Sequence, residues 1–304
     1  MDQLNAMLVF TQVVDTGSFS QASKKLNMPL PSVSRKVADL EAHLGAQLLV
    51  RTTRKLSLTE SGARYLESAR RILNDVQEAE RQASGEYLTP IGQMTLTAPS
   101  AFGRLHVLPV VEEFLKNYPD VTIRLLLADQ VLHLLDEQVD LGLRIGDLSD
   151  STMMAKHLGF VEFIQCASPQ YLERKGIPTC PQDLKEHDII SFGNIDLNQT
   201  WEFADEDRLE KISLHPRLII NSAQAAVDCA VNGMGITRVL SYQASQQIAD
   251  KTLQRVLAAY PHSPKPVSFV YPQGRLVPLK LRTFIDFAAP RIKERLAIIK
   301  QQCA

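Results

Sequence analysis

The chain has 304 residues, 45% hydrophobic and 22% charged, with a formal net charge of −1. That length suits two or three domains with well-filled cores, and the near-zero charge points the molecule as a whole toward neither an acidic nor a basic partner. No apolar run approaches the ~20 residues that span a bilayer, so no membrane partner is expected.

Charge is unevenly placed. Seven cations (Lys24, Lys25, Arg35, Lys36, Arg51, Arg54, Lys55) face two acids, Asp39 and Glu41, between positions 24 and 55, whereas 22 basic residues meet 24 acidic ones from position 91 onward. A small positive footprint on a neutral-to-acidic body is the outline of a nucleic-acid reader joined to something else, or of a plain solvated face. Cys166, Cys180, Cys229 and Cys303 form no C-x-x-C pair, and no histidines stand at zinc spacing. With no secretory leader they read as packed, reduced thiols of a cytoplasmic protein, with no metal site.

In chain order, LNAMLVFTQVVDTGS places Leu4, Met7, Leu8, Thr11 and Val14 on one helical face. Ser18 is a natural N-cap for the short helix FSQASKKL. A third helix over about 31–44 carries the apolar stripe Val33, Val37, Leu40 and Leu44 and ends at Gly45. Arg35 lies roughly 200° from Val33, with Pro31, Ser32, Ser34 and Lys36 around it. Two short helices, the second offering a small, hydroxylated, cationic N-terminal face, make a helix-turn-helix that suits the DNA major groove. Two short strands around Arg51 and Arg54 then form a basic wing.

Thr59 caps a long helix whose narrow seam runs through Leu66, Ala69, Leu73, Val76, Ala83 and Tyr87. Such a helix pairs with a copy of itself or docks on its own chain. LTPIG is a linker. Beyond it, QMTLTA, VTIRLLLA and VDLGLRIG read as strands, with a helix bent at Pro109 and another at VLHLLDEQ between them, which predicts a mainly parallel sheet. A second α/β run covers about 160–265, with Trp201 in a strand. KPVSFVYP and LKLRTFIDFAAPRIKERL could return to the first sheet, leaving two lobes and a cleft.

The first sixty residues, from MLVFTQVVDTGSFS through LPSVSRKVADLEAHLGAQLLVRTTRKLSLTESG, resemble the winged helix-turn-helix of LysR-type transcriptional regulators. LPVVEEFLKNYPDV, DLGLRIGDLSDS and AVNGMGI are similar to phrases of that family's effector domain, so the resemblance covers the whole chain. The fold it implies is α/β with an α-rich N-terminal part: a winged helix-turn-helix at 1–58, a dimerisation linker helix at 59–89, and a periplasmic-binding-protein-like effector domain at 90–304. That domain would have lobe I at about 90–163 and 266–304 and lobe II at about 164–265.

The resemblance further implies a homodimer or homotetramer formed through the linker helix, which binds an interrupted inverted repeat in double-stranded promoter DNA. It would answer to a small-molecule effector and act on RNA polymerase, without cofactor or catalytic residue. The DNA contacts carried over are Ser18, Pro31, Ser32, Ser34, Arg35, Lys36, Arg51 and Arg54. Those for the effector are Ser100, Phe102, Asp129, Arg144, Gly146, Phe192, Asn221 and Ser222. Ser100, between a strand and a helix, either binds a carboxylate with its hydroxyl and neighbouring N–H groups or is a plain N-cap. Asp129 stands where the family often has a neutral polar residue and disfavours an anionic effector unless Arg144 offsets it. Pro29-Leu30 replaces a frequent Ser-Gln, removing a capping hydroxyl and a polar base contact. A constitutive regulator without effector, or an enzyme on the two-lobed fold, are the alternatives; no histidine forms a motif with Ser100 or a cysteine.

Overall fold

The computed structural model describes residues 2–51, 56–84, 89–129, 139–148, 153–193, 199–205, 208–273 and 277–303. The chain divides into two compact units, Met1–Thr89 and Pro90–Ala304.

In the first unit, α1 (Gln3–Thr16) is capped by Asp2, α2 (Phe19–Lys25) by Ser18, and α3 (Leu30–Leu44) closes on Gly45 in the left-handed region. Val33, Val37 and Leu40 of α3 are buried as their spacing predicts, but Leu44 is 39% exposed because the helix end runs past the core. The face of α1 differs from the expected one. Ala6, Val9, Phe10, Thr11 and Val13 are buried, whereas Leu4 and Leu8 are exposed. Both stripes have helical spacing, and the one carrying Phe10 meets α3 and the next helix.

The wing strands β1 (Leu49–Arg51) and β2 (Leu56–Leu58) pair antiparallel. The Glu41 carboxylate accepts from the amides of Leu48 and Leu49 at 2.8 and 3.0 Å, tying α3 to the wing. In α4 (Glu60–Ser84) the Thr59 hydroxyl accepts from the Gly62 amide at 2.9 Å. A Cβ on Gly62 would lie 2.0 Å from the Leu48 carbonyl oxygen, so the helix crosses the wing only because the residue is glycine. The first half of α4 does have a core to pack on: Leu66 and Ala69 are buried, Tyr65 stacks near Phe10, and Arg70 pairs with Asp15 of α1. Leu73 and Val76 are half-buried, and the side chains of Ala83 and Tyr87 lie outside the described residues.

The second unit begins with β3 (Gly92–Ala98), α5 (Ser100–Phe102), a π turn at Gly103–Val107, and α6 (Leu108–Asn117). The distortion expected at Pro109 falls just before it. Pro109 has no N–H and crowds the carbonyl four residues back, and a wide turn relieves this, with the Leu108 amide reaching the Gly103 carbonyl. Next come β4 (Val121–Leu127), β5 (Leu141–Ile145), an unanticipated β6 (Met153–Val161), β7 (Phe163–Ala167) and α7 (Pro169–Lys175). The helix expected at VLHLLDEQ lies outside the described residues.

The second unit continues with β8 (Ile189–Phe192), the hairpin β9 (Gln199–Asp205) and β10 (Arg208–Leu214), β11 (Leu218–Ile220) and α8 (Ala223–Val231). The chain then forms β12 (Ile236–Leu240), α9 (Ser241–Ala249), β13 (Gln254–Val256), β14 (Lys265–Pro272) and α10 (Leu279–Gln302).

Among the described residues one sheet runs β4-β3-β5-β14-β6 and another β11-β8-β12-β7-β13. Neither is mainly parallel. β3 is parallel to β4 and β5, but β14 enters antiparallel between β5 and β6. In the second sheet β7 runs against β12 and β13. The strands that return from the other sheet arrive in the opposite sense. β14 and α10 do close the first core, with Val267, Phe269, Phe284 and Ile292 beside Leu96 and Phe114. Trp201, 1% exposed, packs with Phe203 and Ile212 in the second.

Candidate DNA-reading surface and ligand cleft

The turn into α3 is built locally. Asn27 takes a left-handed φ of 50°, the Ser23 hydroxyl donates to the Met28 carbonyl at 2.6 Å, and the Ser32 and Val33 amides donate to the Pro29 carbonyl. Pro29 gives no side-chain cap, so the missing hydroxyl is not replaced by a side chain. Pro31 sits in the first turn, where its absent N–H leaves no bond unmade. Leu30 is 43% exposed. Opposite the buried stripe, the Arg35 side chain is 84% exposed and held only at 3.9 Å by Asp39.

Lys24, Lys25 and Pro31 are also exposed, while Ser32, Ser34 and Lys36 are half-buried at the edges. Ser18 accepts from the Gln21 amide, so its hydroxyl is committed to α2. Glu41 is spent on the wing amides, which leaves the positive footprint opposed chiefly by Asp39. Arg51 contributes its backbone to β1; its side chain and Arg54 lie outside the described residues.

In the second unit the expected cleft residues gather at the carboxyl ends of parallel strands, where open α/β sheets take ligands. Ser100 follows β3, Asp129 follows β4, and these ends are adjacent because Ala98 pairs with Leu127. The Ser100 amide donates to an Asp129 carboxylate oxygen at 2.9 Å, so this helix start is already met by an anion of the chain itself. Gly103 allows the approach: a Cβ there would lie 2.3 Å from a Leu127 methyl carbon.

Gly146 follows β5 with φ +109° and donates to the Pro266 carbonyl at 2.8 Å. Arg144 is half-buried, and burial lowers its pKa; one guanidinium nitrogen donates to the Leu143 carbonyl at 3.3 Å. At the second sheet, Phe192 ends β8 opposite Ile220 and is half-buried. Asn221 and Ser222 are exposed, and Ser222 caps α8 by accepting from the Ala225 amide at 3.4 Å. Phe102 departs from expectation. It is fully buried, with ring centroids 4.9 Å from His106 and 5.0 Å from Tyr242, because α5 turns it into the core rather than toward the cleft.

Sequence reasoning missed what joins the two sheets. Tyr242 of α9 lies in the first core, and an Arg104 guanidinium nitrogen donates to the Gln224 side-chain oxygen at 3.1 Å. Nothing in the periodicity of α9 marked Tyr242. Arg238, sandwiched between Phe163 and Trp201 and brought down to about 10 by burial, was also unmarked. Burial pushes the Cys166 thiol up to about 12 and the Cys303 thiol up to about 11, which disfavours the thiolate at both. Among the described residues no cluster could hold a metal ion, and no helix is long and apolar enough to cross a membrane.

A winged helix-turn-helix with an exposed cationic helix face, followed by a unit of two α/β sheets joined through Arg104–Gln224 and Tyr242, has the build of a DNA-binding regulator with a ligand-binding type of second unit. Known proteins agree. Residues 4–63 match the bacterial regulatory helix-turn-helix protein, lysR family, and residues 89–293 match the LysR substrate binding domain. An HTH-type transcriptional regulator of Xanthomonas campestris pv. campestris is 34% identical over 99% of this chain and 88% of its own length. The HTH-type transcriptional regulator CrgA of Neisseria meningitidis serogroup B is 34% identical over 95% of this chain and 97% of its own. The solved structure of CrgA, a LysR-type transcriptional regulator from Neisseria meningitidis, superposes with a TM-score of 0.61, at 32% identity, over 96% of this chain and 98% of that one. The chain belongs to the LysR family of transcriptional regulators.

Proposed function

We propose that the protein is a sequence-specific regulator of transcription in the cytoplasm, whose grip on promoter DNA changes when a small molecule enters the cleft between the two sheets. The observation that carries the DNA half is the Arg35 side chain, 84% exposed on the face opposite the buried Val33–Val37–Leu40 stripe. It reaches base edges in the major groove, Lys24 and Lys25 meet phosphates, and Arg51 and Arg54 flank the site. The remaining apolar seam of α4 is covered by a second copy, so the operator is an interrupted inverted repeat. Bound there, the dimer or tetramer meets RNA polymerase. In the cleft, the carboxylate of Asp129 favours a neutral or cationic effector over an anionic one.

Footprinting on the DNA around its own gene tests this reading. Protection of two half-sites, a steep loss of affinity with salt, and a shift of the protected edges when the effector is added are expected. A flat salt dependence with no protected site would overturn it. Footprints that stay the same across a broad metabolite panel would leave a constitutive regulator instead.

A further inference from the structure

A cavity of about 670 Å³ opens where the π turn, α9 and the last turns of α10 converge, and none of the cleft residues lines it. Among the described residues its charged lining groups are Arg104 and Arg295, and no carboxylate lines it. Arg104 is aimed: Gln224 accepts from it at 3.1 Å while donating to Asp228 at 2.9 Å. Arg295 is half-buried; among the described residues it makes no hydrogen bond, and the one carboxylate that feels its charge, Glu113, lies outside the cavity lining. His106, also in the lining, is kept neutral by burial and then by the Arg295 charge, so the positive charge is that of two guanidiniums.

A half-buried guanidinium without an acceptor is an unfinished interaction, and a planar fork suits a carboxylate. Leu105 and the exposed Ile298 add apolar wall, which a bare inorganic anion would leave unused. The cavity volume falls within the ordinary range of small-molecule sites, about 300–1,000 Å³.

We propose that this cavity binds a small organic carboxylate, held by Arg104 and Arg295 with its hydrocarbon part against Leu105 and Ile298. The site is separate from the cleft and does not depend on the cleft being an effector site. Because Arg104 and Arg295 stand on helices of the first sheet and Gln224 and Gln246 on helices of the second, occupancy ties the two together.

The test is titration calorimetry on the full-length protein with hexanoate, with hexan-1-ol and inorganic phosphate as the neutral and purely ionic probes. Hexanoate should bind more tightly than either. Arg295→Gln should weaken it by about tenfold or more, as loss of a charged hydrogen-bond pair does. Gln246→Glu, at an exposed helical position, should do the same by adding a negative charge while keeping the fold. Ser100→Ala should leave hexanoate binding unchanged. No hexanoate binding, binding that survives both cavity variants, phosphate binding as tight as hexanoate, or a loss seen only in Ser100→Ala would each overturn the proposal, the last by moving the ligand to the cleft.

Discussion

The amide of Ser100 donates to the carboxylate of Asp129 at 2.9 Å, although the two residues stand 29 positions apart. They meet because β3 and β4 pair in parallel register and each ends two residues before them. The start of a helix ordinarily attracts an external anion. Here an internal carboxylate holds that place.

The first prediction follows directly. Asp129→Asn should lower stability by only ~1 kcal/mol, the usual scale of a cap interaction at an exposed site. It should also let small carboxylates raise the melting temperature through the cleft, where the wild-type protein gives them no response there. Thermal shift with Arg295→Gln as the background separates this effect from the second cavity. An unchanged anion response in Asp129→Asn would remove Asp129 as a selectivity determinant.

Leu30 is exposed at the first position of α3, where it can meet a thymine methyl but no hydrogen-bonding base edge. Leu30→Gln should therefore change which operator sequences are preferred while the salt slope stays the same. Arg54→Ala should reduce the salt slope by about one phosphate contact and leave preference intact. Binding-site selection and titrations at several salt concentrations read the two effects separately. If both variants alter only overall affinity, this division is wrong.

Within α3 the two leucines of one predicted stripe should behave differently. Leu40 is 1% exposed and Leu44 is 39% exposed. Leu40→Ala should cost about 2–5 kcal/mol of the first unit's stability, and Leu44→Ala less than about 1 kcal/mol. Urea unfolding of the two variants measures this. Equal losses would mean that Leu44 is covered in solution.

Acid should weaken the second unit in a defined window. His106 is pushed down to about 4 by burial and then by Arg295, and His262 down to about 4 by burial and then by Arg238 and Arg255. Both are neutral in the folded chain, while an unfolded histidine titrates near 6.5. Between those values the unfolded chain binds more protons, so stability is complete above about pH 6.5 and declines toward pH 4. Melting temperature should fall across that interval by an amount reflecting less than about 7 kcal/mol, the ceiling for two histidines that remain partly open to solvent. His106→Gln should flatten the decline by removing one of the two sites. An unchanged slope would place the acid sensitivity elsewhere.

What could be read beforehand was local. Val33, Val37 and Leu40 share a stripe because the helix repeats every 3.6 residues, and Ser18, Thr59 and Gly45 act as caps through bonds to their immediate neighbours. On α1, periodicity identified a helix yet could not choose between two adjacent apolar faces, since the choice depends on what Phe10 meets. The strand β6 escaped because Lys156, His157 and Gly159 interrupt its alternation, and only its pairing with β14 shows it as a strand. The cleft residues were located by family position. Their most informative contact, Ser100 to Asp129, depends on strand register, which no short stretch encodes. Tyr242 and Arg104 matter through partners more than a hundred residues away.

The placement of β14 bears on how the chain is born. The strands of the second sheet all lie between Phe163 and Val256, so they are available to one another well before synthesis ends. The first sheet is different: among the described residues β6 pairs with β14 alone, which is completed only at Pro272, and α10 follows still later. During vectorial synthesis the nine residues of β6 therefore wait with an unsatisfied edge while more than a hundred further residues emerge, the interval in which strand edges find wrong partners. A stop codon before Lys265 would make that wait permanent: every strand of the second sheet would still be made, while the first would lack both β14 and α10.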